Sequence, residues 1–441
     1  MSWGFETEPE VQEELDWVEE FVRTEVEPVD QVIEHAWNPR DPVRNALITP
    51  LQQRVRERTL WAAHLRPELG GKGYGQLRLA LLNEKLGRTH SGPVVFGCQA
   101  PDSGNAEILA HYGTDHLKKV YLEPLVAGEI VSCFSMTEPH GGSDPTGFRT
   151  TAVLDGDEWV INGEKWFSSH ALFAEFLIVM AVTEPDAAPH RSMSMFVVPA
   201  DAPGVERVRD VSVWGHDEPV GTHQYLRYTD VRVPAANLLG ERGQAFAVAQ
   251  TRLGGGRIHH AMRTVGLVSS AFEMMKRRAV SRSTKGERLA DKQLVQEMVA
   301  DSWIQIEQFR LLVLRTAWRI DRYQDYRRVR ADISAVKAAM PKVLADVAGR
   351  AIQIHGSLGI SKELPFGKWV MESFHMGLAD GATEVHKVNL AQALLRSTEP
   401  DDGLFPPYTL PARRAEAGER FAPLISEVLA AAADDGDGPR G

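Results

Sequence analysis

TTAVLDGDEWVINGEKWFSS, residues 150–169, alternates β-branched and aromatic residues with polar ones and carries two turn-like pairs, Asp155-Gly156 and Asn162-Gly163. Each pair sits between β-rich runs, TTAVL, EWVI and KWFS, and Asp-Gly or Asn-Gly in that setting signals a hairpin, because both positions of the tight turn need φ > 0. The strand pattern continues through FLIVMAV (176–182), MSMFVVP (193–199) and QYLRYTDVRVP (224–234). A β-barrel or β-sandwich domain is therefore predicted over residues 133–243. Working outward, Leu15, Val18, Phe21 and Val22 open a helical spacing of apolar residues that runs to about residue 131, broken at Pro28, Pro42 and the glycines of 70–75. Residues 1–132 are read as an N-terminal helical domain. Beyond the β region the 3.6-residue period returns in three long stretches, about 244–280, 288–323 and 331–354, which predict a C-terminal four-helix-type bundle over 244–398. Residues 399–441, with Pro406, Pro407, Pro411, a short amphipathic segment and an Ala/Asp/Gly end, read as an appended, partly disordered tail. The fold class is α+β, with a β domain inserted between two helical ones.

Composition narrows the function classes. The chain has 441 residues, 43% hydrophobic and 25% charged, which fits a folded globular protein of several domains and not a disordered or membrane-spanning one. Its 49 Lys+Arg against 60 Asp+Glu leave a net charge of -11, which argues against a nucleic-acid partner that would need broad phosphate neutralisation. Two cysteines, Cys98 and Cys133, cannot make a disulfide framework and suit a reducing compartment. The acidic opening MSWGFETEPE has neither the basic flank and apolar run of a signal peptide nor the Arg-rich character of a transit peptide, and the closing DDGDGPRG has no peroxisomal tripeptide. A cytoplasmic location is expected. His259-His260 are adjacent on a predicted helix, point in different directions and lack HExxH spacing, so they are read as packing or polar-face residues. No metal is assigned.

Three strings carry a more specific signal. FSMTEPHGGSDPTG (134–147), GEKWFSSHA (163–171) and IQIHGSLGISKELP followed by LADGATEVH (352–386) together resemble the acyl-CoA dehydrogenase family, in order and spacing, over about residues 9–398. With GGGRIHHAMRTVGL (254–267), LADGATEVH looks most like a subgroup that has aspartate where most members have glutamate. The resemblance implies FAD as cofactor and an acyl-CoA thioester as substrate. Phe134, Met136, Thr137 and Ser143 would lie along the flavin and its pyrophosphate, with Ser143 also on the substrate side. A Gly-rich turn with backbone N–H groups and hydroxyls is suited to those carbonyl and phosphate oxygens.

In GEKWFSSHA the resemblance puts Phe167 at the family's flavin-stacking Trp and Ser169 at its flavin-bonding Thr, and neighbouring Trp166 is a second candidate for the ring contact. Arg282 and Gln293, on the loop and helix SRSTKGERLADKQ, match residues that reach the FAD of a neighbouring subunit; Lys285 stands where the family usually has an adenine-contacting Phe. Gln353, Gly356 and Ser357 match a Gln-x-x-Gly-Gly turn at the adenosine end of that same FAD, and Ala382 and Glu384 stand where Thr and Gln are usual. A cross-subunit cofactor implies a homodimer or homotetramer.

The chemistry implied is α,β-dehydrogenation to the trans-2-enoyl-CoA, the entry step of fatty acid β-oxidation, with electrons passed to an electron-transferring flavoprotein. Asp380 matches the catalytic carboxylate that removes the α-proton; the alternative position used in some members is Gly256 here. Arg257 and Gly381 fall on the substrate side. A carboxylate of pKa about 3.9 is a weak base for this proton, so burial is expected to raise the Asp380 pKa. Two other readings stay open on sequence: an acyl-CoA oxidase that reoxidises its flavin with O₂, and a non-catalytic acyl-CoA or flavin-binding scaffold suggested by the departures at Phe167, Lys285, Ser357, Ala382 and Glu384.

Overall fold

The computed structural model describes residues 6–33, 36–214 and 223–434. The first five residues and the closing 435–441, both used above in reading location and tail, lie outside the described residues. The longer N-terminal helices are α1 (Pro9–Phe21), α2 (Pro42–Glu57), α3 (Gln76–Leu86) and α4 (Asp102–Tyr112). Asp41 caps α2 by accepting from the backbone N–H groups of Val43 and Arg44, and Pro42 sits at the first helical position, where no N–H is needed.

The sheet follows in strands β1 (Ser132–Ser135), β2 (Thr151–Asp155), β3 (Glu158–Ser169), β4 (Phe176–Val182), β5 (Met193–Pro199), β6 (Val205–Val211), β7 (His223–Pro234) and β8 (Leu238–Leu239). Their order is β6-β7-β3-β2-β4-β5-β8, and β1 pairs in parallel with β4. The unbroken run FLIVMAV has a direct explanation in β4: Phe176, Ile178 and Met180 face the core shared with the N-terminal helices, while Leu177, Val179 and Ala181 face a second core inside the β region. Strand β5 divides in the same way, Met193, Met195 and Val197 against Phe196 and Val198. A strand buried on both faces has no polar side to display.

One turn expected from sequence is not a turn. Asp155-Gly156 does close the β2–β3 hairpin, with Asp155 paired to Glu158 and Gly156 at φ 66°. Asn162-Gly163, however, lies inside the continuous strand β3 and marks a register shift against β7. Gly163 has φ 147°, and a Cβ there would lie 2.5 Å from Thr150 Oγ1 and 2.6 Å from Thr150 Cα. The glycine serves close backbone approach at a bulge, a role that a pairwise turn signal does not distinguish.

The C-terminal helices are α5 (Ala245–Ser281), α6 (Gln293–Tyr323), α7 (Arg330–His355), α8 (Phe366–Leu378) and α9 (Thr383–Leu395), and a small hairpin of β9 (Ser283–Thr284) and β10 (Glu287–Arg288) joins α5 to α6. Helix α7 packs on α5, α6 and α8 around Ile258, Met262, Val313, Val336, Met340 and Val347. Helix α5 is also bound to the N-terminal helices: Arg263 donates to Asn83 Oδ1 at 2.7 Å and to the Cys98 carbonyl at 2.8 Å. The segment from Ala391 onward is a separate unit. There the structure corrects the expected tail, since residues Leu410–Asp434 form one helix, α10, longer than a short amphipathic segment. Pro411 stands in its first turn, where proline is tolerated. Among the described residues, no helix is long and apolar enough to cross a membrane.

Replacing Gly163 by alanine forces a Cβ onto Thr150 and should cost about 1–3 kcal/mol. Denaturant unfolding of Gly163→Ala beside Gly156→Ala, where the added Cβ meets nothing within 4 Å, should show the larger loss at 163.

Candidate active site

The turn between α8 and α9 presents Asp380. Ala379 caps α8 in extended conformation, Asp380 follows at φ 55° and Gly381 at φ 105°. Two successive left-handed residues reverse the chain sharply, and a non-glycine residue held there is strained by about 1–3 kcal/mol. Two side chains hold it in place: Arg257 on α5 donates from Nε and Nη2 to the Asp380 carbonyl oxygen at 3.1 and 3.0 Å. His386 Nε2 donates to the same oxygen at 3.3 Å. Burial lowers the His386 pKa to about 4, so its ring is neutral at pH 7 and that bond selects the Nε2–H tautomer. A Cβ on Gly381 would lie 2.8 Å from His386 Nε2, so this position excludes larger residues for steric as well as torsional reasons.

The Asp380 carboxylate, its side chain 23% exposed, lies among cations. Burial pushes its pKa up, but Arg252, His260, Arg257 and Lys337 together outweigh burial and hold it below the ordinary aspartate value. The expectation of a raised pKa is therefore reversed, because α5 and α7 bring positive charge to the same point. His260 Nε2 is 3.9 Å from Asp380 Oδ2; burial lowers the His260 pKa to about 4, so it adds positive charge only in the acidic range where Asp380 titrates and is neutral at pH 7. Lys337 is lowered by burial to about 8 and donates to the Met376 carbonyl at the end of α8.

The second group gathers on the sheet. Phe167 has φ 49°, and its ring is 38% exposed. It meets Trp166 edge-on at 4.8 Å and lies 5.3 Å from the His223 ring. Trp166 is the more enclosed of the two, and its backbone N–H donates to the Thr137 carbonyl at 3.0 Å. Ser169 Oγ is 2.8 Å from His223 Nδ1, and the His223 ring is 6.0 Å from that of His375 on α8. His375 in turn senses the charge of Asp380, so it links the sheet surface to the Asp380 turn. Phe134 and Met136 are half-buried at the end of β1, Thr137 is half-buried in the following loop, and Ser143 is exposed there.

Most of the other residues named from sequence are exposed. Arg282 and Gln293 are exposed around the β9–β10 hairpin, whose turn is Lys285-Gly286 at φ 51° and 79°. Gln353, Gly356 and Ser357 are exposed at the end of α7, where Gly356 has φ 66° and ψ -135°, a region open to glycine alone. Ala382 is half-buried beside Gly381, and Glu384 is exposed in the first turn of α9.

Several residues escaped the sequence reading. His260, taken there as a packing or polar-face residue, is one turn from Arg257 and so shares its face, a spacing that could have revealed it. Lys337 stands alone in the apolar run of α7, which was a visible anomaly. Glu138 and Lys165, inside two of the quoted strings, form a fully buried ion pair at 2.9 Å. Glu138 also accepts from the backbone N–H groups of Arg149 and Thr150 at 2.7 and 2.9 Å, while Lys165 donates to the Met136 carbonyl at 2.7 Å. The pair thereby fixes the loop that carries Thr137 and Ser143 against β3.

Comparison with known proteins identifies the family. Models of the acyl-CoA dehydrogenase N-terminal, middle and C-terminal domains match residues 8–129, 133–231 and 243–395. The chain is 41% identical over 364 residues to "Probable acyl-CoA dehydrogenase FadE2" of Mycobacterium tuberculosis, covering 82% of this chain and 88% of that protein. The chain belongs to the acyl-CoA dehydrogenase family. It is also 39% identical to acyl-CoA dehydrogenase family member 11 of Mus musculus over 87% of this chain, and it spans only 50% of that longer protein. Among solved structures it resembles an acyl-CoA dehydrogenase from Geobacillus kaustophilus, with 26% identity, a TM-score of 0.76 and coverage of 89% of this chain and 100% of that one. A glutaryl-coenzyme A dehydrogenase in complex with glutaryl-CoA gives 26% identity, a TM-score of 0.75 and coverage of 90% and 98%. This acyl-CoA dehydrogenase is thus an oxidoreductase of the three-domain type.

Breaking a buried ion pair on one side leaves a charge without a partner. Lys165→Met should destabilise the acyl-CoA dehydrogenase by about 3–5 kcal/mol, and adding Glu138→Gln should recover part of that loss. Chemical denaturation of the two variants measures both.

Proposed function

We propose that the chain dehydrogenates an acyl-CoA thioester at its α,β bond, with Asp380 as the base that takes the α-proton. The observation that carries this reading is the Asp380 turn, which presents an ionised carboxylate on a strained, doubly anchored backbone. Position 256, the alternative site for a base, is glycine. Anchoring the carbonyl through Arg257 and His386 leaves the carboxylate as the group that faces the site, and a fixed base loses little freedom when substrate arrives. The lowered pKa keeps it deprotonated at neutral pH. Expulsion of water by the acyl chain then strengthens it, because desolvation works against the charged form. The backbone N–H of Asp380 is the donor in this reading for the thioester oxygen, where negative charge grows as the α-proton leaves.

The residues present fit FAD. The exposed ring of Phe167 offers a stacking face, and the hydroxyls of Ser169, Thr137 and Ser143 offer donors along one side of the site. When bound, the flavin would supply the acceptor for the β-hydride. Ser169 would bond the ring, and His223, behind it at 2.8 Å, would orient its hydroxyl. Electron-transferring flavoprotein is the acceptor in this reading, and the location is cytoplasmic, in keeping with two buried, unpaired cysteines.

Assembly as a homodimer or homotetramer belongs to the same proposal. Arg282, Gln293, Gln353 and Gly356 are exposed and do not join the Asp380 site of their own chain, as expected if they serve a neighbour's cofactor. Large apolar side chains on the same bundle, among them Trp303, Ile360, Phe374 and Leu378, are also exposed, the last two at 63% and 70%.

Asp380→Asn should keep flavin bound while anaerobic reduction by substrate falls at least about 100-fold; Asp380→Glu should retain partial activity. Stopped-flow bleaching measures both, and reduction of Asp380→Asn at near the native rate would remove Asp380 as the base. For assembly, Arg282→Ala should release FAD more readily on dilution, read from flavin fluorescence in the ultrafiltrate. Equal retention by a strictly monomeric form would contradict the cross-subunit assignment.

A further inference from the structure

Helix α10 belongs to the separate unit that starts at Ala391, and the match to the family's C-terminal domain ends at residue 395. None of the residues assigned above to flavin, substrate or a neighbour's cofactor lies on it. The helix has 25 residues, which makes it about 37 Å long. Phe421, Leu424, Ile425, Val428 and Leu429 are all exposed, yet their spacing gathers them into one stripe along it. A continuous apolar stripe left in water marks a contact surface.

The charges beside the stripe say what it contacts. In heptads with Phe421 at position a, the seam consists of Arg414, Phe421 and Val428 at a and Ala417, Leu424 and Ala431 at d. Pro423 falls on the opposite face. The flanking g positions read, in chain order, Arg413, Arg420, Glu427 and Asp434, basic in the first half of the helix and acidic in the second. The Arg420 guanidinium lies 5.3 Å from the centre of the Phe421 ring, along the edge of the stripe. The e positions, Gly418, Ile425 and Ala432, carry no charge. In a parallel pair of such helices g faces the partner's e, and these charges would meet nothing. In an antiparallel pair g faces g, and a series that runs from basic to acidic complements itself. A lipid surface fits less well, since three arginines stand against four acids on the helix and its polar face is not basic.

We propose that α10 pairs with α10 of a second copy of this chain, antiparallel about a two-fold axis beside Phe421 and Leu424. Phe421 packs on the partner's Leu424, Val428 on the partner's Ala417, and Arg420 faces the partner's Glu427, each contact occurring twice. Arg414 meets the partner's Ala431, a side chain small enough for the arginine stem to lie over it with the guanidinium in water. This contact goes beyond the assembly proposed above, because it uses a surface that holds no part of the cofactor site.

Two measurements on the full, FAD-loaded chain test the pairing. Arg420→Glu and Glu427→Arg each set like charges against one another twice across the axis. Either should weaken association through α10 at least about tenfold, read by analytical ultracentrifugation at low salt. The double variant, and an equimolar mixture of the two single ones, should restore it. Ala417→Cys combined with Val428→Cys should join copies by disulfides under mild oxidation, whereas each alone should not, because either residue is about 16 Å from its own counterpart in an antiparallel pair. Cys98 and Cys133 are buried and do not compete. FAD retention should match the native protein throughout. Crosslinking by the single cysteine variants as readily as by the double one means parallel helices and overturns the proposal, as does a double cysteine variant that joins no copies. Native association in both charge variants overturns it too. Binding to phosphatidylglycerol vesicles without intermolecular disulfides assigns the stripe to lipid instead, and loss of FAD together with association makes α10 part of the cofactor interface, so the separate contact falls in either case.

Discussion

The two hydrogen bonds from Arg257 to the carbonyl of Asp380 are the point on which the site depends. They tie a strained turn of the last bundle helices to α5, which is itself bolted to the N-terminal helices through Arg263. Three regions of the chain thus position one carboxylate, and none could do so alone. The arrangement also explains why this carboxylate sits among positive charges: the arginine that anchors its backbone necessarily brings charge near its side chain, and Arg252 and Lys337 lie within the same electrostatic neighbourhood. A carboxylate so placed is held ionised by its charged neighbours in spite of its burial.

Much of the architecture was legible from periodicity because each region buries its apolar residues in a distinct way. Helical spacing identified α5, α6 and α7 nearly to their ends, and the alternation around Asp155-Gly156 identified the β2–β3 hairpin. What failed did so for physical reasons. Gly163 carries the same dipeptide signature as a turn, yet its conformation answers to Thr150, on a strand-leading segment that local pattern does not weigh. The amphipathic segment of the tail extends further than expected, as helix α10, because its prolines and small residues hide a long helical run.

The site was legible to a different degree. Family resemblance pointed to Asp380, Phe167, Ser169 and Arg257, and the structure brings these together, with His223 and His375 linking the sheet to the turn. The electrostatics were not legible, since Arg252 and Lys337 approach Asp380 from different helices and sequence distance conceals it. Nor was the lock between Glu138 and Lys165, although both lie inside the quoted strings, because a glutamate in a polar loop and a lysine on a strand look solvated until the loop folds over them.

The double-sided burial of β4 has a consequence for how this chain can change over evolutionary time. Inserting or deleting one residue within Phe176–Val182 would exchange every side chain between the two cores at once, swapping large Phe and Met against small Ala. No single compensating substitution repairs both sides. Length variation among descendants of this sequence should therefore collect in the connecting segments, while the strand that separates the two interiors keeps its count fixed and drifts only by replacement of one apolar side chain with another of similar volume.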